Sequence, residues 1–198
     1  MTDSGRVAVL ALHWQVNVIE PDGFFGGMLA APVAASGVVK RAVTFHDDAR
    51  GRGVPIIFTR FTIPEGEGGL VRNTGFMRAV GDAQESFRPD APGAALIASM
   101  RDQVDDVLDN QKLSGLAGNS LPLLLAERGV TTLLLTGVAT NLTVEQTARH
   151  GTDLGLDVYT VSDCVAAADE ATHAASLANL ALATAGCVTA AEALDLLG

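Results

Sequence analysis

Short apolar runs alternate with helical segments along this chain, and this alternation restricts the fold more than any other feature. Val7–Leu12 and Val54–Phe58 are apolar runs of strand length. The segment between them has apolar residues at helical spacing and charged residues on its other faces. The residues of this apolar face are Val38, Ala42, Phe45 and Ala49. The order of strand, helix and strand predicts a β-α-β unit.

The second half of the chain repeats this alternation. A helix with Pro122 in its first turn is expected to end at Gly129, and the β-branched and aliphatic run Thr131–Leu135 follows as a strand. Leu156–Val161 is typical of another strand, and Glu170–Ala185 predicts a long last helix. Strands that are apolar throughout belong to parallel sheets covered on both faces. We therefore expect a three-layer α/β/α sandwich with a mostly parallel central sheet.

The chain length and the lack of a linker predict one domain over residues 1–198. Turn-rich segments from about Arg60 to Ala98 predict a long excursion over the surface, with a short helix near Phe76–Val80. Long loops on an α/β scaffold often carry binding residues. This excursion is therefore a candidate wall of a ligand site.

Charge and composition limit the partners. Thirteen basic and 23 acidic side chains give a net charge of −10, so neither nucleic acid nor an anionic membrane is expected to bind. The two cysteines, Cys164 and Cys187, form no disulfide or metal pattern. Neither an export signal nor an apolar run of about 20 residues is found, which favours the cytoplasm. Glycine-rich phosphate loops are absent, so no nucleotide cofactor is expected.

Polar side chains follow the predicted strands at the edge of the sheet where open α/β proteins bind their ligands. The first strand ends in His13, Trp14 and Gln15, and a central strand ends near Asn110. The fourth strand runs into Thr136–Asn141. Because the carboxyl ends of parallel strands meet at one edge, these groups are expected to converge.

Three segments containing these residues follow a known order. Val9-Leu-Ala-Leu-His-Trp-Gln15 resembles an opening in which aliphatic residues end in Asp-Met-Gln. Leu113-Ser-Gly-Leu-Ala-Gly-Asn-Ser-Leu121 is similar to a Ser-x-Phe-x-Gly-Thr-x-Leu stretch. The segment from Gly129 to Ala148, with Thr-Gly-Val-Ala-Thr-Asn at its centre, resembles almost position for position a segment that presents a nucleophilic Cys. The family with these segments is the isochorismatase-like hydrolases, a superfamily of cysteine hydrolases.

The resemblance implies an Asp base, a Lys that supports it and a Cys nucleophile, but all three positions differ in this chain. His13 aligns with the Asp, Asn110 with the Lys and Thr143 with the Cys. Lys112 lies two residues from the expected Lys. Two residues displace a side chain by about 7 Å along a strand. Lys112 is therefore either a substitute for that Lys or a solvated loop lysine.

The substituted residues leave three interpretations open. His13 could be a base, Thr143 a nucleophile and Asn110 the group that orients the imidazole. The pocket could instead bind a ligand or perform acid-base chemistry without a covalent intermediate, or the positions could have drifted. The expected function is a hydrolase or lyase acting on a small organic molecule of the amide, ester or vinyl ether type. The alternative is a catalytically silent member that binds a small ligand or a protein partner through the same cleft.

Further residues near the strand ends are candidates for substrate binding: Trp14, Gln15, Phe24, Phe61, Lys112, Ala139, Thr140 and Asn141. The aromatic members either line an apolar pocket or belong to the core or an oligomer contact. Cys164 is interpreted as a small buried residue. His46, His150 and His173 are isolated on predicted helices and are given no role in the site. No metal or other cofactor is expected, because Arg60–Pro64 lacks the His residues with which some family members hold a metal.

The resemblance also concerns the turn after the fourth strand and the assembly. The family associates this turn with a cis peptide and with N–H groups directed at a substrate oxygen. We therefore expect a cis Val138–Ala139 bond and an anion-binding nest of N–H groups near Ala139 and Thr143. Thr140 and Asn141 are expected to cap the helix that follows. A homo-oligomer, either a dimer or a tetramer, is expected because the family commonly forms them.

Overall fold

Six parallel strands form one sheet in the computed structural model, which describes residues 7–198. Residues 1–6 lie outside the described residues. The expectation that the chain has no export signal partly depends on this segment. The strands are β1 (Val7–Leu12), β2 (Ile56–Phe61), β3 (Asp106–Asn110), β4 (Thr132–Val138), β5 (Asp157–Ala166) and β6 (Gly186–Val188). Their order across the sheet is β3-β2-β1-β4-β5-β6. The two central strands, β1 and β4, are buried along their full length, as their apolar sequences predict.

Helices cover both faces of the sheet, so the predicted three-layer α/β/α sandwich is confirmed. The helices are α1 (Val16–Ile19), α2 (Gly26–Ser36), α3 (Val38–Gly51), α4 (Gly75–Asp82), α5 (Leu121–Glu127), α6 (Glu145–Asp153), α7 (Glu170–Ala183) and α8 (Ala190–Leu197). Side chains of α2, α3 and α8 share one core with alternate residues of β1, such as Val9. Side chains of α5, α6 and α7 share the other core with the intervening β1 residues, such as Leu10.

The predicted apolar face of α3 is confirmed, since all four of its residues are at most 1% exposed. The short helix predicted near Phe76–Val80 is α4, and the long excursion carries it over the surface. Among the described residues no single helix is long and apolar enough to cross a membrane, although α2 and α3, bent by 65°, reach that length and composition together.

Several strand and helix ends differ from the prediction for local reasons. The second strand begins at Ile56 rather than Val54, because Pro55 has no N–H for the ladder. β5 continues to Ala166 past Ser162 and Asp163, whose polar side chains interrupt the apolar pattern. β6 and α8, which follow the helix predicted to be the last, were not predicted. A three-residue strand is too short to show a period in sequence.

The helix after β4 does not begin with the predicted side-chain cap. A five-residue π-helical turn, Thr140–Val144, leads directly into α6, and no side chain caps its first N–H groups. The Thr140 hydroxyl instead forms a 2.9 Å hydrogen bond with Nδ1 of His173 on α7. The expectation that Thr140 and Asn141 cap this helix is therefore wrong, because a neighbouring helix supplies another partner for Thr140.

Candidate active site

A small cavity of about 40 Å³ lies at the carboxyl ends of β1, β2 and β4. This volume is sufficient for roughly three water molecules. Its wall combines strand ends with α2, α4 and the turn after β4. The lining residues are His13, Val18, Phe25, Met28, Leu29, Phe61, Phe76, Val80, Phe87, Leu113, Val138, Ala139, Leu142 and Thr143. Two of the three residues aligned with the family's catalytic positions, His13 and Thr143, therefore border one cavity.

His13 follows β1 directly, and its backbone has a φ of 54°, a left-handed value that is uncommon for a residue other than glycine. Its N–H donates to the carbonyl of Thr59 at 3.1 Å, which fixes the backbone against β2. The Nε2 atom is buried and has no hydrogen-bond partner. Burial lowers the pKa of His13 from 6.5 to about 4, so the imidazole is neutral at pH 7.

Thr143 lies in the π-helical turn after β4. Its side chain is 1% exposed, and its Oγ1 atom has no hydrogen-bond partner. No hydrogen bond joins Thr143 to His13. Both residues therefore line one cavity, and each has a buried polar atom with no partner among residues 7–198. Buried polar groups are rarely left unpaired in proteins, so such atoms at one site indicate a missing partner.

The peptide bond between Val138 and Ala139 is cis, as the resemblance implied. In the turn that follows, the N–H groups of Leu142 and Val144 both donate to the carbonyl of Ala139, at 3.1 and 3.3 Å. These two N–H groups are directed into the turn and not at the cavity. The nest expected from the N–H groups of Ala139 and Thr143 stays a prediction.

Asn110 is at the end of β3 and is fully buried, but it does not line the cavity. Its amide nitrogen donates to the carbonyls of Ser114 and Ala117, at 2.6 and 3.3 Å. Its Oδ1 atom has no partner, and no hydrogen bond joins the side chain to His13. The amide group thus holds the loop after β3, and the structure does not place it as an orienting group for the imidazole.

The same loop is fixed to α6 by two further hydrogen bonds. Ser114 Oγ lies 2.9 Å from Nδ1 of His150, and the N–H of Gly115 donates to the Thr147 hydroxyl at 2.9 Å. Gly115 passes so close to the sheet that a Cβ atom there would lie 2.8 Å from a methyl group of Leu12. The family-like Ser-Gly pair after β3 therefore keeps the loop against the strand ends.

Trp14 and Gln15 point away from the cavity. The indole N–H of Trp14 donates to the hydroxyl of Thr136 at 3.3 Å, inside the core. The Gln15 amide donates to the carbonyls of Phe61 and Ala94, and its oxygen accepts from the N–H of Phe61 at 2.7 Å. Both side chains join segments that are distant in sequence, and neither contacts the cavity as the sequence had suggested.

His46 has a structural role that sequence reasoning missed. It is fully buried, with Nδ1 3.2 Å from Oε1 of Gln103 and Nε2 2.9 Å from the hydroxyl of Thr136. Since the amide oxygen of Gln103 accepts, Nδ1 carries the proton and Nε2 accepts from Thr136. The Thr136 oxygen accepts from Trp14 in turn. This network, here called the His46 network, connects α3 with β1 and β4.

The other predicted binding residues divide between the cavity and its surroundings. Phe61 and Ala139 line the cavity, but Phe24, Thr140, Asn141 and Lys112 do not. Phe24 is 40% exposed and packs on Phe87. Thr140 is bonded to His173, and Asn141 is exposed. Lys112 lines a separate open groove, so the structure does not make it a substitute for the family's Lys.

Several cavity residues were missed because they come from outside the predicted strand ends. Met28 and Leu29 come from the start of α2, and Phe76 and Val80 come from α4. The spacing of Phe76 and Val80 was the available signal, because residues four apart share one face of a helix. The structure shows that this face closes the cavity.

The cysteines lie away from the cavity, and Cys164 is buried as interpreted. Burial is the main cause that raises the pKa of the Cys164 thiol, to about 12, so this group stays protonated. Within residues 7–198 no group of three or more His, Cys, Asp or Glu side chains is arranged to hold a metal ion. The side chains at the cavity are neutral oxygen and nitrogen groups and hydrocarbon.

Comparisons with known proteins agree with this architecture. A cysteine hydrolase from Pseudomonas syringae pv. phaseolicola has a TM-score of 0.85 and 25% identity, covering 98% of this chain and 93% of its own. A pyrazinamidase/nicotinamidase from Streptococcus mutans has a TM-score of 0.74 and 22% identity, covering 92% of this chain and 99% of its own.

Matches to curated sequences are shorter. The ureidoacrylate amidohydrolase RutB of Methylobacterium radiotolerans is 39% identical over 77 residues, which is 38% of this chain and 30% of that protein. The chain thus spans about a third of the length of the curated relatives it matches. The model of the isochorismatase domain, however, matches residues 7–192. The chain belongs to the isochorismatase domain family.

Proposed function

We propose that this chain is a hydrolase that acts on a carbonyl group of a small organic molecule bound in the cavity. The observation that carries the proposal is that His13 and Thr143 both line one cavity at the strand ends, and that each has a buried polar atom, Nε2 or Oγ1, with no partner among residues 7–198. A carbonyl group and a water molecule together offer partners for both atoms. Families with this architecture place their ligands at the carboxyl ends of the strands.

The geometry favours attack by water over attack by Thr143. A threonine hydroxyl needs an adjacent base to become a nucleophile, and no hydrogen bond connects Thr143 with His13. His13 instead accepts a proton from a water molecule as the water oxygen attacks the carbonyl carbon. The hydroxyl of Thr143 donates to the oxygen that becomes negatively charged. When the intermediate collapses, His13 returns the proton to the leaving amine or alcohol.

The low pKa of His13 is compatible with this role. An imidazole with a pKa of about 4 is neutral at pH 7 and has the basicity of an ordinary aspartate, whose pKa is about 3.9. A proton that it takes from water is therefore held weakly and is readily returned to the leaving group. Asn110 acts through position, because its amide holds the loop that covers the strand ends.

The experiment is hydrolysis of a panel of small esters and amides by the purified chain and three variants. His13→Gln is expected to lower kcat by roughly 10²-fold or more, and Thr143→Val by a similar factor. Thr160→Val is the matched control. Thr160 is also fully buried with an unpaired hydroxyl, but it lies on β5 outside the cavity. This control is expected to retain wild-type kcat.

Intact-mass analysis during turnover separates the two modes of attack. The water mechanism predicts no acylated protein, whereas attack by Thr143 predicts an adduct on that residue. An adduct on Thr143, or full activity of His13→Gln, would overturn the assignment of roles. Binding of panel members without turnover of any of them would replace the hydrolase with a ligand-binding function.

A further inference from the structure

We infer that the ligand of this cavity is an uncharged molecule with one polar group on an otherwise hydrocarbon frame, and that carboxylates and ligands with a second polar group, such as a ring nitrogen beside the amide, are excluded. The inference rests on the proposed function in one respect: the polar group of the ligand is taken to be a carbonyl. The selectivity itself depends only on the cavity wall. Binding measurements can therefore test it whether or not the chain turns the ligand over.

The cavity wall offers no charged partner. Every lining residue except His13 and Thr143 is apolar, so no lysine, arginine or carboxylate from residues 7–198 lines the cavity. The two polar residues line the same cavity, and both are more than 90% buried. A ligand can place one polar group there, while the rest of its surface meets hydrocarbon. A second polar group would be buried without a hydrogen bond, which is unfavourable.

Two arginines of the excursion, Arg60 and Arg88, are already paired with other groups. Arg60 forms a two-point ion pair with Asp109, with both N···O distances at 2.8 Å. Arg88 donates to the carbonyls of Ile63 and Pro64. Neither arginine lines the cavity. A carboxylate in the cavity would therefore lose its hydration without gaining an ion pair, which strongly disfavours its binding.

Aromatic side chains form one wall, which suits a flat or branched hydrocarbon group. The rings of Phe25 and Phe76 are stacked at 5.5 Å with an angle of 7° between their planes. Phe87 contacts Phe61 edge to face at 5.6 Å. These four rings meet where β2, α4 and the start of α2 come together. Offset stacking and edge contacts favour hydrocarbon and aryl ligands over charged ones.

The outer side of the cavity provides room for a ligand larger than the resting volume. Met28 lines the cavity and is 47% exposed, so its side chain lies between the cavity and solvent. An unbranched, flexible methionine moves at low energetic cost. Displacement of this side chain would enlarge the cavity toward the surface without disturbing the buried strand ends.

The test is calorimetric titration of the full chain at pH 7.5 with benzamide, nicotinamide and benzoate. These probes share size and shape but differ in a ring nitrogen and in charge. Benzamide is expected to bind at least tenfold more tightly than nicotinamide and benzoate. Isobutyramide and isobutyrate form the corresponding pair for branched aliphatic ligands, and the amide is again expected to bind at least tenfold more tightly than the carboxylate. Equal or tighter binding of the carboxylates, or no binding of either amide at millimolar concentration, would overturn the inference.

One variant pair connects the selectivity with the wall. Met28→Lys introduces a cation at the exposed side of the cavity and is expected to reduce the preference for benzamide over benzoate at least tenfold. Leu123→Lys is the control, because Leu123 is 61% exposed on α5 and does not line the cavity. An unchanged preference in Met28→Lys, or an equal change in Leu123→Lys, would contradict the inference. A His13→Gln variant that keeps the preference but loses turnover would support selectivity by the wall.

Discussion

Acid should destabilise this protein at a pH where most of its carboxylates are still ionised. His13 and His46 are both buried, and burial is the main cause that lowers the pKa of each from 6.5 to about 4. For His46, Arg50 lowers the pKa further, whereas the Gln103 hydrogen bond and Asp47 raise it. In the unfolded chain both imidazoles return to about 6.5. Between pH 6.5 and pH 4 the folded state therefore binds fewer protons than the unfolded state.

The magnitude follows from proton linkage. The stability contributed by these residues is fully present above pH 6.5 and is lost as the pH falls toward 4, because the unfolded chain takes up protons first. Between pH 7.5 and pH 5.0 each residue should reduce the free energy of unfolding by about 2 kcal/mol, or about 4 kcal/mol together. A domain of ordinary stability has only about 5–15 kcal/mol, so the loss should be large.

The assay is urea unfolding followed by circular dichroism from pH 7.5 to pH 5.0. His46→Gln should reduce the pH-dependent loss by about 2 kcal/mol, since its side chain does not titrate. Thr136→Val is the control, because it removes the two hydrogen bonds of the Thr136 hydroxyl in the His46 network but keeps the buried imidazole. The Thr136→Val variant should be less stable than the wild type at every pH, but its free energy of unfolding should fall by the same amount between pH 7.5 and pH 5.0. A wild-type protein equally stable at both pH values, or an unchanged loss in His46→Gln, would refute the reasoning.

Three further predictions concern the rest of the molecule. Iodoacetamide should leave hydrolysis intact, because burial keeps the Cys164 thiol protonated. Mass spectrometry measures the modification of Cys164, and loss of activity in proportion to that modification would contradict the prediction. Gln15→Leu should lower the free energy of unfolding in urea by about 3 kcal/mol, since it leaves the backbone groups of Phe61 and Ala94 unpaired. We propose a homo-oligomer, partly because Leu182 is 89% exposed; light scattering should give a mass well above 20.4 kDa at micromolar concentration, and a monomer would contradict it.

The layered fold could be predicted because its signals are local and repeated. The face of α3 with Val38 and Phe45 shows a helical period in sequence, and the continuous apolar run of β1 shows burial on both sides. β5 was predicted too short because Ser162 and Asp163 break the apolar run. Their side chains bond to the carbonyl of Val188 and the N–H of Ala190, which the sequence pattern does not reveal.

The directions of individual side chains could not be predicted in the same way. His13, Trp14 and Gln15 are consecutive, yet only His13 lines the cavity. The partner that holds Trp14 in the core, Thr136, is 122 residues away, and the partners of Gln15 are 46 and 79 residues away. Such contacts depend on the packed sheet and not on the spacing of residues along the chain. The sequence could therefore locate the edge of the sheet but not the side chains that reach the cavity.

Asn110 stands at the position that aligns with the family's Lys, but its side chain has a different role. A lysine there would require a negative partner in a fully buried place, and breaking such a buried ion pair costs about 3–5 kcal/mol. His13 stands where the resemblance expects the aspartate, so loss of one charge would leave the other unpaired. The two substitutions together leave neutral groups at both positions, and Asn110 uses its amide to hold Ser114 and the loop around it. The site thus remains ordered without an ion pair, and the two polar residues of the cavity wall, His13 and Thr143, each keep a buried atom with no partner among residues 7–198. Burial accounts for the loss of both charges, but it does not account for the unpaired polar atoms of the two residues that line the cavity, and these atoms favour a retained use of the cavity.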